Sequence, residues 1–231
     1  MDLINKGLIP LDKSWMIRLG VLDILSGDKQ IVEFLEKQEE LNGDLKALLN
    51  AAKSWNTNEI DVGESGTLYR FLRFASWKLG LKKKFILHGT LEKRKICDDP
   101  EIVNWPLKKL LELDNGTSQW ASAAVLLGNE EKVENAPYKL KVTYEAKKYW
   151  DLMRESNLPW EARYDETILK QAENFLKLLE TGKLNFKAEQ AEDYCFSRAF
   201  NLISKEEGER RWKSLRGHES DRIEEMENSL E

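Results

Sequence analysis

Asp61-Val62-Gly63-Glu64-Ser65-Gly66-Thr67-Leu68-Tyr69-Arg70 decides how this chain is read. Asn58 to Val62 before it is short and part-apolar and reads as the end of a strand. After it, Leu68, Phe71, Leu72, Ala75 and Leu79 recur at helical spacing, and Gly80 closes the pattern. Two glycines and two hydroxyl residues fill the turn between, where helix-capping chemistry belongs. The first N–H groups of a helix have no internal acceptor and lie at the positive end of its dipole. A strand–turn–helix of this kind is a candidate anion site, and Arg70, one turn in, can fork onto a carboxylate or phosphate. No Gly-Lys-Ser/Thr follows the glycines, so the turn is not a P-loop. Alone, it reads first as a plain strand-to-helix connection, as most Gly-Ser-Gly turns are.

Upstream, a helix is expected from Asp12 or Ser14, with Met16, Ile17, Leu19, Leu22 and Leu25 as its apolar face. Lys13 and Ser14 stand at its start and Arg18 lies one turn on, on the same side. They form either a cap with solvated charges or a second cationic helix N-terminus. Amphipathic segments follow near 29–40 and 43–55. Downstream, Lys82 to Gly89 reads as a strand leaving a basic run, and Arg94 follows as surface charge or anion ligand. Leu107 to Leu113 reads as a short helix stopped at Asp114-Asn115-Gly116. Thr117-Ser118-Gln119 then opens a helix of small residues running to Gly128, a third polar helix start.

The pattern runs helical or mixed from Pro137 through Trp150 and Met153, and Asn157-Leu158-Pro159-Trp160 is the most linker-like point. This places a domain at 1–157 and a second at 158–231. In the second, a helix is expected over 165–180, a strand over 183–188, a helix over 189–204 and a charged segment to the end.

Composition bounds the rest. The chain has 231 residues, 41% hydrophobic and 33% charged, with a net charge of -5 and a pI of about 5.4. These are values of a globular chain, and the acidic balance disfavours nucleic-acid binding. Cys97 and Cys195 read as two thiols in a reducing compartment, with a disulfide between them the alternative. His88 and His218 are isolated, and no Cys/His cluster has zinc spacing, so no metal and no cofactor is expected. No leader pattern is seen and no run nears the roughly 20 apolar residues of a membrane span, so a cytoplasmic protein without membrane contact is expected.

Three helix starts with hydroxyls, two with basic residues beside them, suit a multi-anionic small molecule, and the same residues resemble a family. Lys13-Ser14 with Arg18 is similar to the Lys-Ser-x-x-x-Arg motif of EPSP synthase, the 3-phosphoshikimate 1-carboxyvinyltransferase of aromatic amino acid biosynthesis. Glu64-Ser65-Gly66-Thr67 with Arg70 resembles its Asn-Ala-Gly-Thr-x-x-Arg signature, with Glu64 in place of asparagine. Arg94 resembles the arginine of its Glu-Arg-Pro-Ile segment, Thr117-Ser118-Gln119 its Ser-Ser-Gln, and Asn135-Ala136-Pro137-Tyr138 its Ser-x-Pro-Tyr. Lys187 to Tyr194 is loosely similar to Asp-Ala-Ser-Ser-Ala-Ser-Tyr. Leu215 to Ile223, containing His218-Glu219-Ser220-Asp221-Arg222, resembles Leu-Arg-x-Lys-Glu-Ser/Thr-Asp-Arg. The segments occur in the family's order.

The resemblance implies an inside-out α/β barrel domain, helix-rich here, with a strongly reduced second domain. It implies transfer of the enolpyruvyl group of phosphoenolpyruvate to shikimate 3-phosphate, a transferase using no cofactor. Arg18, Ser118, Gln119 and Arg222 would contact shikimate 3-phosphate. Lys13, Arg70 and Arg94 would face phosphoenolpyruvate beside the Gly66 backbone, Ser14, Thr67, Thr117, Asn135 and His218 would also line the substrates, and Glu219, with Lys13, would carry the chemistry. The chain also departs from the family. It is far shorter, no counterpart of the family's aspartate lies between Tyr194 and Glu219, and the later arginine and lysine would fall beyond residue 231. His218 replaces a lysine, and imidazole with a pKa of about 6.5 is mostly uncharged at neutral pH. A non-catalytic relative that holds shikimate 3-phosphate or a partner protein is the alternative, and another chain supplying the missing half is a third.

Overall fold

The structure, a computed structural model, describes residues 9, 11–38, 41–159, 161–164, 166–181, 197 and 203–212. The described chain runs α1 (Lys13–Ser26), α2 (Gln30–Leu35), α3 (Gly43–Ser54), β1 (Glu59–Asp61), α4 (Gly66–Lys78), β2 (Lys84–Ile86), α5 (Leu107–Leu110), α6 (Gln119–Leu126), α7 (Tyr138–Glu155), α8 (Glu166–Thr181) and α9 (Lys205–Trp212), with single 3-10 turns at Leu91–Lys93, Pro100–Asn104 and Leu113–Asn115. It is a mostly helical α/β architecture. Its one sheet among the described residues has two parallel strands, with Glu59 opposite Lys84, Ile60 opposite Phe85 and Asp61 opposite Ile86. Parallel neighbours need a crossover rather than a hairpin, and α4 is that crossover. No helix among the described residues is long and apolar enough to cross a membrane.

Local chemistry explains the boundaries. Asn42 caps α3, its side-chain oxygen accepting from the Leu45 N–H at 2.8 Å. The segment read as helical to residue 40 stops at Leu35, because Lys37 and Gln38 bond back only three residues, to Phe34 and Leu35. The helix read over 107–113 breaks after Leu110. Asp114, Asn115 and Gly116 all have positive φ, which no helix continues through. A helix forms at Lys205–Trp212 where the sequence suggests only a charged segment. The expected strand at 183–188 and nearly all of the expected helix at 189–204 lie outside the described residues.

The chain divides into two compact units, residues 13–161 and a second made of 1–12 with 162–231. In the second, Leu11 and Tyr164 form an antiparallel bridge, and the Asp12 N–H donates to the Arg163 carbonyl at 2.9 Å.

Within residues 13–161, α1, α4, α6 and α7 lie side by side and point the same way. Arg70 on α4 bonds Gln119 at the start of α6, and Arg18 of α1 bonds Thr143 near the start of α7. At the other ends, Lys78 of α4 donates to the Leu127 carbonyl just past α6. There, Leu22 and Leu25 of α1, Leu126 of α6 and Trp150 of α7 share an open depression of about 500 Å³. The core is built by their contacts. Every α1 residue from Trp15 to Ile24 and every α6 residue from Trp120 to Leu126 is buried, and Trp120 stacks on Trp77 at 5.7 Å. Ala121, Ser122, Ala123 and Ala124 let neighbouring backbones close on α6. At Gly20 a Cβ would stand 2.6 Å from Leu48, so α3 approaches α1 closely only because that position is glycine.

One buried residue breaks the apolar pattern. Asp23, 1% exposed, accepts the Ile31 N–H at 3.1 Å and so tethers the start of α2, but its Oδ1 has no hydrogen-bond partner among the described residues. Burial, above all, pushes its carboxyl from 3.8 up to about 6. The folded chain therefore keeps this proton to about pH 6, while the unfolded chain loses it near 3.8. Its contribution to folding is full below pH 3.8 and is lost as the pH rises through 6. Asp23→Asn removes the charge penalty and keeps an acceptor for Ile31. It is expected to gain about 1–2 kcal/mol over the parent at pH 8 and nothing at pH 4, read from denaturant melts at the two pH values.

Candidate anion site at the helix N-termini

Everything at the start of α4 follows from the turn that ends β1. The Gly63 N–H donates to Asp61 Oδ1 at 2.9 Å, Ser65 N–H donates to the Val62 carbonyl, and His88 N–H returns to the Gly63 carbonyl. Gly63 has φ +55, a left-handed position suited to glycine. The Gly63 N–H first, and then the His88 ring 3.0 Å away, hold the Asp61 carboxyl below its ordinary value.

The turn delivers a helix whose first amides are not capped. Ser65 occupies the N-cap position, yet its hydroxyl caps nothing and is buried without a partner among the described residues. The N–H groups of Gly66, Thr67 and Leu68 likewise find no acceptor there. Buried or half-buried donors of this kind are costly unless something accepts from them.

Two guanidinium groups lie over the same point. A Cβ at Gly66 would stand 3.1 Å from Arg70 Nη1 and 3.3 Å from Arg94 Nη1. Arg70, 7% exposed, donates from Nη1 to Gln119 Oε1 at 2.8 Å and the Gly66 carbonyl at 3.1 Å, and from Nε to Asp114 Oδ2 at 2.7 Å. Gln119 completes the link by donating from Nε2 to Thr67 Oγ1 at 2.7 Å. Arg94 is exposed and forms no ion pair among the described residues; its Nη2 donates to Thr90 Oγ1, which in turn lies 3.3 Å from the Glu64 carboxylate. Gly66, Thr67, Arg70, Arg94 and Gln119, chosen from distant stretches of sequence, therefore share one site.

A second group sits between α1 and α7. Arg18, 2% exposed, donates to Thr143 Oγ1 at 2.6 Å and to the carbonyls of Ser14 and Lys139, and its guanidinium lies over Phe71. Lys139 Nζ donates to Ser14 Oγ at 2.6 Å, and Thr143 Oγ1 also meets Ser122 Oγ at 2.9 Å. Both groups lie at the end where the four N-termini gather, so helix dipoles and guanidinium charges act in the same direction.

The remaining expected residues are less involved. Lys13 reaches Asp44 of α3 at 3.1 Å. Ser118 is buried beside Gln119 without capping α6, and Thr117 Oγ1 accepts from the Gln119 N–H at 3.4 Å. Asn135 is an exposed turn residue with φ +54 and makes no hydrogen bond to either group. His218, Glu219 and Arg222 lie outside the described residues. Among the described residues no cluster of three or more His, Cys, Asp or Glu is placed to hold a metal.

Asp114, Lys139, Thr143 and Thr90 escape the sequence reading. Asp114 passes there for a helix stop, and only its spacing of five from Gln119 hints at more.

Gly66→Ala separates binding from folding. Alanine suits a helix and changes fold stability by no more than about 1 kcal/mol, while its methyl, 3.1 and 3.3 Å from the two guanidinium groups, crowds them and fills the point between them. Thermal melting is expected to stay within a few degrees of the parent while affinity for inorganic phosphate, the probe of the candidate site, falls tenfold or more by calorimetry. Compared with models of protein families, with curated proteins and with solved structures, the chain finds no match, so the site rests on its own residues.

Proposed function

We propose that this chain binds phosphoenolpyruvate and shikimate 3-phosphate at the gathered helix N-termini and is an enolpyruvyl transferase of the EPSP synthase kind. One observation carries the reading: the uncapped first amides of α4 and the guanidinium groups of Arg70 and Arg94 converge at Gly66. Unmet donors and two cations at one point are suited to an oxyanion. The buried helices α1, α4 and α6 also suit the inside-out α/β domain of that family.

In this reaction the 5-hydroxyl oxygen of shikimate 3-phosphate bonds to C2 of phosphoenolpyruvate while its methylene carbon takes a proton. The tetrahedral adduct then loses a proton from the methyl group so formed, together with inorganic phosphate, leaving the enol ether. The α4 amides, Arg70 and Arg94 hold phosphoenolpyruvate. Ser14, Arg18, Ser118 and Gln119, with Arg222, hold shikimate 3-phosphate. Glu219, with Lys13 beside the developing charge, moves the protons. Positioning and charge neutralisation supply most of the rate gain.

The second reading, a relative that holds the ligands without turnover, is favoured by two pairings. Asp114 takes Arg70, and Lys13 is directed at Asp44, so two cations of the site already have carboxylates.

Calorimetry with each substrate, followed by an assay of phosphate release with both, separates the readings. Binding with release is the transferase, and Glu219→Gln then abolishes release while binding persists. Binding without release is the second reading. Arg94→Ala, at an exposed position, is expected to weaken phosphoenolpyruvate tenfold or more with the melting temperature unchanged. No heat with either substrate at millimolar concentration removes both readings.

A further inference from the structure

Asp114 is joined to three separate parts of the candidate site, and nothing in the proposed chemistry uses it. Its Oδ2 accepts from Arg70 Nε at 2.7 Å and from Trp120 Nε1 at 2.9 Å, and its Oδ1 accepts the Cys97 N–H at 2.9 Å. Arg70 belongs to α4, Trp120 to α6, and Cys97 lies three residues after Arg94 on the segment that carries it. Both side chains of the ion pair are buried, at 8% and 7% exposure.

The backbone is bent to bring that carboxylate inward. Asp114 has φ +48 and Asn115 φ +64, left-handed positions that non-glycine residues seldom hold. Aspartate and asparagine take such positions more readily than other non-glycine residues, and along this path the Asp114 carboxylate reaches three donors. All three partners are N–H donors, and among the side chains of this size only an ionised carboxylate is acceptor on both atoms.

The result is a guanidinium with assigned faces. Nε is taken by Asp114, and Nη1 is shared between Gln119 and the Gly66 carbonyl. Nη2, with two N–H groups, makes no hydrogen bond among the described residues. Since Nε and Nη1 fix the plane of the group, the direction of Nη2 is fixed with them. We infer that Asp114 is a positioning residue, which sets the Arg70 guanidinium over Gly66 for an oxyanion at the start of α4, and which anchors the Arg94 segment beside it. This rests on the anion-binding reading of the site above.

A plain counter-charge would do the same electrostatic work from a different place, so the test keeps the charge and moves it. In Asp114→Glu the carboxylate remains but is carried one methylene too far. In the full-length parent, the Arg70 Nε–H signal in 15N NMR is expected to be protected from solvent exchange, and to shift, as the Trp120 indole N–H does, in Asp114→Glu. In that variant protection is lost and phosphoenolpyruvate affinity falls fivefold or more. Trp120→Phe, which loses an indole donor but leaves Arg70 held, keeps the affinity within twofold whatever it does to the melting temperature.

An Arg70 Nε–H that exchanges freely in the parent overturns the inference, even if the variant does not fold. So does retained protection in Asp114→Glu, or an equal loss of affinity in Trp120→Phe. Should the parent bind no phosphoenolpyruvate while its Arg70 Nε–H is protected and Asp114→Glu releases it, the orientation stands and the substrate reading falls.

Discussion

A guanidinium carried into the interior has to be met bond by bond, and the Arg70–Asp114 pair is where this protein does so. Taking two charges out of water costs several kcal/mol for each, and their attraction offsets that only when the geometry is good and the spare hydrogen bonds are filled. Here the pair is 2.7 Å apart, and Cys97, Trp120, Gln119 and Gly66 fill most of the rest. Losing one member of such a pair costs about 3–5 kcal/mol, because the other is left charged and buried. The arrangement joins α4, α6 and the segment after β2 at one point. It thereby fixes the end of the protein where the helices begin.

The alignment of α1, α4, α6 and α7 has an electrostatic consequence. Parallel helices place like dipole ends together, a local penalty that antiparallel packing avoids. The bundle accepts it because the small residues Ala121, Ser122, Ala123 and Ala124 of α6 allow close packing of its neighbours. The concentrated positive end is then available to an anion, and Ser65 does not quench it by capping α4. Arg18 adds to the same end through Thr143, Ser14 and Lys139 rather than by facing open solvent.

The elements were largely legible as one-dimensional patterns. Leu68, Phe71, Leu72 and Ala75 mark α4 because helical periodicity is a local property, and Gly63 marks the turn because a left-handed residue is required there. The segment 29–40 misled for a related reason: Glu36, Lys37 and Gln38 are good helix formers that carry the pattern past Leu35, while the backbone has already tightened into i+3 bonds. Asp114-Asn115-Gly116 reads as a helix stop, yet the helix has already ended at Leu110, and the role of the Asp114 carboxylate is not legible there. The pairing of Asp114 with Arg70 spans a separation in sequence that no local pattern records.

Sequence alone determined which residue types stand at each helix start, the strand–turn–helix around Gly66 and the helices α1, α3, α4, α6 and α7, since capping, turn chemistry and periodicity act between near neighbours. Tertiary structure decided that Arg70 and Arg94 meet over Gly66, that Lys13 is drawn to Asp44, and that Arg18 is shared with Thr143. Those outcomes depend on which helices pack together and in which direction, and a charged side chain takes the partner that packing brings within reach.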